Sequence, residues 1–167
     1  RAWLGTSLKL LTEEKDLRGF VQGKGWAHCA AHTGDLLGDF AAHPCLGLPD
    51  IEEILNALQV RVTTPVKQVF VHNEEERLSG VVMNILQRDL VTEEFFAKWF
   101  EGFVSSSGHM DWKEAFTHPS WNCARMNTKL FLRSIYFFLI VGYKDQPEHR
   151  KVDMIDRLKP ILMNCLK

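Results

Sequence analysis

The stretch GKGWAHCAAHTGDLLGDFAAHP, residues 23–44, decides how this chain is read. It carries two histidines four apart, an aspartate three further on, and a high density of alanine and glycine. Taken as one helix from about Lys24 to Ala42, stopped by Pro44, it divides into three faces at ~100° per residue. Trp26, Cys29, Thr33, Leu36, Leu37 and Phe40 share one side. Ala27, Ala30, Ala31, Gly34, Gly38 and Ala41 form a stripe of very small residues. Lys24, His28, His32, Asp35 and Asp39 gather on a polar face. Each interior glycine costs a helix about 1 kcal/mol relative to alanine. The small stripe therefore predicts that another helix backbone comes close and that this helix is central.

Helical periodicity continues on both sides. A first helix is expected over about Ala2–Thr12, followed by the polar, glycine-rich connection EEKDLRGFVQGKG. A third starts near Pro49, with Asp50, Glu52 and Glu53 at the positive end of its dipole, and ends before Pro65. A fourth opens on HNEEERL, with Asn73 as cap, and runs to about Asp89. Thr92 caps a fifth, whose aromatic face is Phe95, Phe96, Trp99, Phe100 and Phe103. SSSGHMDW reads as a loop. A sixth helix spans roughly Trp121–Gly142, and a seventh about Glu148–Leu166, bent or broken near Pro160. No segment alternates convincingly as a strand; VKQVFVHN, from Val66, comes nearest. The second, fourth and sixth helices begin about fifty residues apart, with shorter helices between. The expected fold is all-α over residues 1–167 as one domain. Its antiparallel hairpins would stack as a short right-handed HEAT- or armadillo-like array, or as an irregular helical bundle.

Composition removes several function classes. With 46% hydrophobic and 25% charged residues, a substantial core is affordable and disorder is not expected. Twenty basic residues against twenty-one acidic ones give a net charge of −1, so nothing in the charge balance points to nucleic acid or an anionic membrane. Cys29, Cys45, Cys123 and Cys165 are widely spaced without a CxxC pair, and read as reduced thiols in a cytoplasmic protein. The longest apolar run, LFLRSIYFFLIVGY from Leu130, is broken by Arg133 and too short to span a bilayer. The chain opens on Arg1 without methionine, and we expect earlier repeats of the same chain to pack on it.

The polar face of the quoted helix suggests three chemistries. His28 and His32 at i and i+4, with Asp35 at i+7, have the spacing to hold Zn²⁺ or a non-haem iron, with an open position to activate water. A fourth ligand is not evident, and the motif lacks the glutamate of HExxH. Alternatively, these side chains hydrogen-bond one another and neighbouring helices along a groove. GFVQGKGW, residues 19–26, has glycines and Lys24 ahead of a helix, where Lys24 and Arg18 suit a simple anion site. The spacing is not that of a nucleotide-binding loop. In NEEERL, Arg77 is expected to pair with Glu74 or a neighbouring hairpin. His43, His72, His109, His118 and His149 fall at helix ends or in loops and carry no site expectation.

EKDLRGFVQGKGWAHCAAHTGDLLGDFAAHP resembles the signature of a bacterial family catalogued as domain of unknown function 2785, and NEEERLSG and NTKLFLRSIYF are similar to later parts of its pattern. The residues that match are Asp16, Arg18, Gly19, Gly23, Lys24, Gly25, Trp26, His28, His32, Asp35, Glu75, Arg77 and Arg133. The resemblance implies an all-helical fold and a place in the C-terminal portion of longer chains. It implies no activity.

The reading that follows is a binding or scaffolding module without a cofactor. Its groove would be lined by Arg18, Lys24, Trp26, His28, His32, Asp35, Glu75 and Arg77, together with Arg133, and would take an unknown protein or small molecule. One alternative is a metal-dependent hydrolase using His28, His32 and Asp35, with Glu75 or Glu76 as further ligand or base. Another is a purely structural half of a longer protein, which predicts an apolar patch around Trp3 and Leu4.

Overall fold

A computed structural model describes residues 1–104, 111–142 and 148–166. Most of the expected loop SSSGHMDW, residues 105–110 with His109, lies outside the described residues, as does the His149 side chain. Seven α-helices occur among the described residues: α1 (Ala2–Glu13), α2 (Cys29–Ala42), α3 (Leu48–Thr63), α4 (Glu74–Arg88), α5 (Glu93–Glu101), α6 (Pro119–Val141) and α7 (Glu148–Leu166). The all-α class holds. A 3-10 turn, Ala115–Thr117, precedes α6.

Two departures from the expected elements matter. The second helix begins at Cys29 instead of near Lys24, because Phe20–Val21 (β1) and Gly25–Trp26 (β2) pair as a minimal antiparallel hairpin, Phe20 opposite Trp26. Gly23 and Gly25 turn this hairpin at φ of 76° and 90°, values that L side chains adopt only under strain. The glycines therefore let the chain double back, and Lys24 sits on the turn. The seventh helix also continues through Pro160 as one element.

Helix ends follow local chemistry. The Thr92 hydroxyl accepts the Phe95 amide and caps α5. Asp50 accepts the Gly47 amide at 3.0 Å and starts α3, while Arg1 reaches the same carboxylate at 3.2 Å. Asn73 occupies the cap position of α4, but with φ of 65° and without a side-chain cap bond. The C-terminal carbonyls of α1 and α2 are closed from a distance. Arg61 of α3 donates through Nη1 to the Leu11 and Glu14 carbonyls, and Arg88 of α4 donates to those of Ala41 and Leu46. Free carbonyls at a helix C-terminus are obligatory acceptors, and a guanidinium supplies enough donors for two of them.

The helices lie in two rows. Helices α2, α4 and α6 pack side by side, with α2 against α4 the most extensive contact in the molecule, and α3 joins α1, α5 and α6 behind them. Leu37, Ile54, Leu55, Leu58, Leu78, Val82, Phe131 and Ile135 are fully buried between the rows. Each such side chain contributes roughly 1.5–3 kcal/mol by leaving water. Trp99 of α5 donates its indole N–H to the Leu55 carbonyl at 2.8 Å, so the aromatic face enters the core with its polar atom satisfied. VKQVFVHN is not a strand. It is an extended connection held by Asn127 of α6, which accepts the Phe70 amide at 2.8 Å and donates to the Gln68 carbonyl at 3.1 Å. No helix among the described residues is long and apolar enough to cross a membrane.

Candidate functional site

The small stripe on α2 brings α4 close. A Cβ placed on Gly34 would lie 3.3 Å from both the Arg77 carbonyl carbon and the Leu78 nitrogen, and one on Gly38 would lie 3.2 Å from Asn84 Nδ2. Asn84 uses that proximity to donate to the Gly38 carbonyl at 3.0 Å. Above this contact lies an open cleft of about 450 Å³, and Phe138 of α6 closes one end. Asp35 and Asp39 of α2 face Glu76 and Arg77 of α4 across it. Of the two pairings expected for Arg77, the one with a neighbouring element is found: it is bound to Asp35 of α2 and not to Glu74. Asp39 and Glu76 have no ion-pair partner among the described residues, so the cleft keeps a negative excess.

The remaining candidate residues belong to a second cluster beside the cleft. His28 precedes α2 in the left-handed region, φ 47°, and is buried. Its Nε2 is 2.9 Å from the His72 carbonyl and must be the donor, since a carbonyl only accepts. The same nitrogen is 3.4 Å from Oε1 of Glu74, a carboxylate that is almost wholly buried at the first position of α4. Glu74 Oε2 accepts the His72 amide at 2.8 Å, and the helix N-terminus adds favourable dipole. Trp26 stacks on His28 at 4.7 Å and meets His72 edge-on, while Phe20 packs against Trp26. A Cβ on Gly19 would collide with the His72 ring and lie 2.8 Å from Glu74 Oε1. The cluster fastens the β1–β2 hairpin to the start of α4.

This geometry gives the residues considered for a metal site other partners. His28 is the N-cap of α2, its carbonyl accepting the His32 amide at 3.1 Å, but its left-handed backbone aims the ring differently from a helical residue; the two rings meet edge-on with centroids 5.7 Å apart. His28 Nε2 is engaged by His72, and Asp35 by Arg77. Among the described residues no three His, Cys, Asp or Glu side chains are grouped to hold a metal ion. Of the two residues expected to form an anion site, Lys24 sits on the hairpin turn and Arg18 is held by Asp16. Asp16 takes Arg18 side-on, at 2.7 and 2.6 Å, which lowers the Asp16 pKa from 3.8 to about 2 and raises that of Arg18. Glu75 lies outside the cleft, half-buried, and Arg133 is exposed on α6. Burial without a partner for Oε2 pushes the Glu75 pKa up, with Glu74 and Glu76 adding to the effect. Trp3 is 78% exposed but Leu4 is buried, so the patch expected there is reduced to Trp3 and Leu10 on one side of α1.

Glu74 and His72, the centre of the second cluster, were not singled out by the sequence, nor were Asn84 and Arg88. Their partners lie more than forty residues away. Arg61 did leave a trace, as a charge set among Ile54, Leu58 and Val62 on an apolar face.

These features describe an all-helical protein with a polar cleft between α2 and α4. The chain matches the family described as protein of unknown function (DUF2785) over residues 1–137, and it belongs to that family. No curated protein and no solved structure matches it.

Proposed function

We propose that this protein is a binding module that receives a cationic group, carried by a partner protein or a small molecule, in the cleft between α2 and α4. The observation that carries this reading is the pairing of an open, glycine-floored space with two carboxylates, Asp39 and Glu76, that have no ion-pair partner among the described residues. An amine or guanidinium entering there would gain charge-assisted hydrogen bonds. The two rows of helices suit a scaffold built from HEAT-like hairpins, which commonly present one row to a ligand. Free thiols at Cys29, Cys45 and Cys123 suit a reducing compartment such as the cytoplasm. The hydrolase alternative has less support, since His28 Nε2 and Asp35 are each engaged by another residue.

The test is titration with spermidine and with an oligolysine peptide, followed by amide NMR. We expect saturable shifts at Asp39, Glu76 and Asn84 that weaken with salt. An Asp39→Asn, Glu76→Gln variant should reduce affinity at least about tenfold, which corresponds to about 1.4 kcal/mol. Gly80→Leu, a substitution into open space, should block the cleft without disturbing the core. Undiminished binding by both variants sinks the proposal.

A further inference from the structure

A second cavity, independent of that cleft, has no assigned role. It lies where the end of α1, the end of α3 and the α3–α4 connection meet, has a volume of about 550 Å³, and is lined by Lys15, Arg61, Thr64, Pro65, Val66 and Lys67 among others. Arg61 is only 2% exposed. Both of its hydrogen bonds are made by Nη1, to the Leu11 and Glu14 carbonyls. Its Nε is buried and has no partner among the described residues. No described carboxylate forms an ion pair with it. Glu14, which lines the same cavity, has Oε1 committed to the Lys15 and Asp16 amides, both at 2.7 Å.

A buried guanidinium is normally paired, because burial without an anion leaves the cost of desolvation uncompensated. Burial is the largest influence on the Arg61 pKa and lowers it, with Cys29 and the Glu14 charge acting more weakly in the opposite sense. Two acidic residues, Glu13 and Glu14, border the cavity against three cations, Lys15, Lys67 and Arg61. The space is large enough for more than a simple ion, and Pro65 and Val66 give it an apolar wall.

We infer that this cavity binds a small organic carboxylate with an apolar tail, the carboxylate meeting Arg61 and the tail lying against Pro65 and Val66. The lysines at the rim would favour the anion over its neutral analogue. Arginine presents a planar fork of donors, so the recognition is of a carboxylate and not of negative charge alone.

The experiment is amide NMR titration of the full chain with sodium octanoate, alongside 1-octanol as the uncharged counterpart. Octanoate is expected to shift Lys15, Thr64 and Val66 saturably, and octanol not to. Lys67→Glu, at an exposed position that cannot affect folding through the core, should weaken binding several-fold. Val66→Trp should abolish it by filling the cavity. Arg61→Lys keeps the charge without the fork and should cost at least about tenfold if folded. Absence of saturable shifts, equal binding of octanol, or undiminished binding by Val66→Trp would each overturn the inference.

Discussion

Gly34 of α2 lies against the backbone of Leu78 on α4, so closely that a Cβ at Gly34 would be 3.3 Å from the Leu78 nitrogen. Gly80, two residues along α4, faces open space. The two glycines should respond oppositely to alanine. Gly80→Ala removes backbone freedom from a helix interior and should stabilise by about 1 kcal/mol. Gly34→Ala gains the same propensity but forces two packed backbones apart, an overpacking cost of about 1–3 kcal/mol. Chemical denaturation should show Gly34→Ala less stable than the parent protein and Gly80→Ala more stable.

The left-handed backbone at His28 reverses the usual helix ranking. At a helical position alanine is better than glycine by about 1 kcal/mol. At φ 47° the order inverts, because a Cβ there costs roughly 1–2 kcal/mol. Both His28→Ala and His28→Gly lose the bond to the His72 carbonyl and the stacking of Trp26, and both should be less stable than the parent. We expect the glycine variant to melt at the higher temperature of the two. The opposite order would place His28 in the helix after all.

Glu75 gives the stability a defined pH dependence. Burial raises its pKa in the folded protein, so the folded state binds the proton more tightly than the unfolded chain. Stability from this group is therefore fully present below the ordinary carboxylate value and is lost as pH rises through the raised one. Glu75→Gln should be more stable than the parent at neutral pH and should flatten that part of the curve. Asp16 acts in the other sense: its pKa of about 2 lies below 3.8, so its contribution is present above that value and lost as pH falls toward 2. Thermal melts of Glu75→Gln and Asp16→Asn between acid and neutral pH separate the two.

Arg88 should matter more than its position at the end of α4 suggests. Its bond to the Ala41 carbonyl at 3.2 Å closes α2, and that to the Leu46 carbonyl at 2.8 Å holds the connection that follows. Arg88→Met keeps much of the aliphatic stem and strands the carbonyls, and should cost about 1–3 kcal/mol. The exposed Asp35–Arg77 pair provides the contrast. A double-mutant cycle there should return less than about 1 kcal/mol, because water and salt screen it.

Helix positions could be read from the chain because they depend on nearby residues. Thr92 with its acidic first turn, Pro49 with Asp50, and the small stripe of α2 each specify their structure within a turn or two of themselves. The start of α2 was misread for the same reason. A helical period fits GKGWAHCAAH as well as a hairpin does, and a two-residue ladder is too short to show a period of two. What tips the balance is distant: His72 and Glu74 hold His28 and Trp26 in place from across a gap of more than forty residues. The cleft was partly legible. Asp35 and Arg77 line it, but Asp39, Glu76 and Asn84 complete it only once α2 and α4 are adjacent.

The arginines that close α1 and α2 also tie the end of each helix to one made later in the chain. Each helix ends on carbonyls that are satisfied from the helix two places later, Arg61 for the first and Arg88 for the second. Until α3 packs, the last turn of α1 lacks its side-chain donor, and until α4 packs so does that of α2.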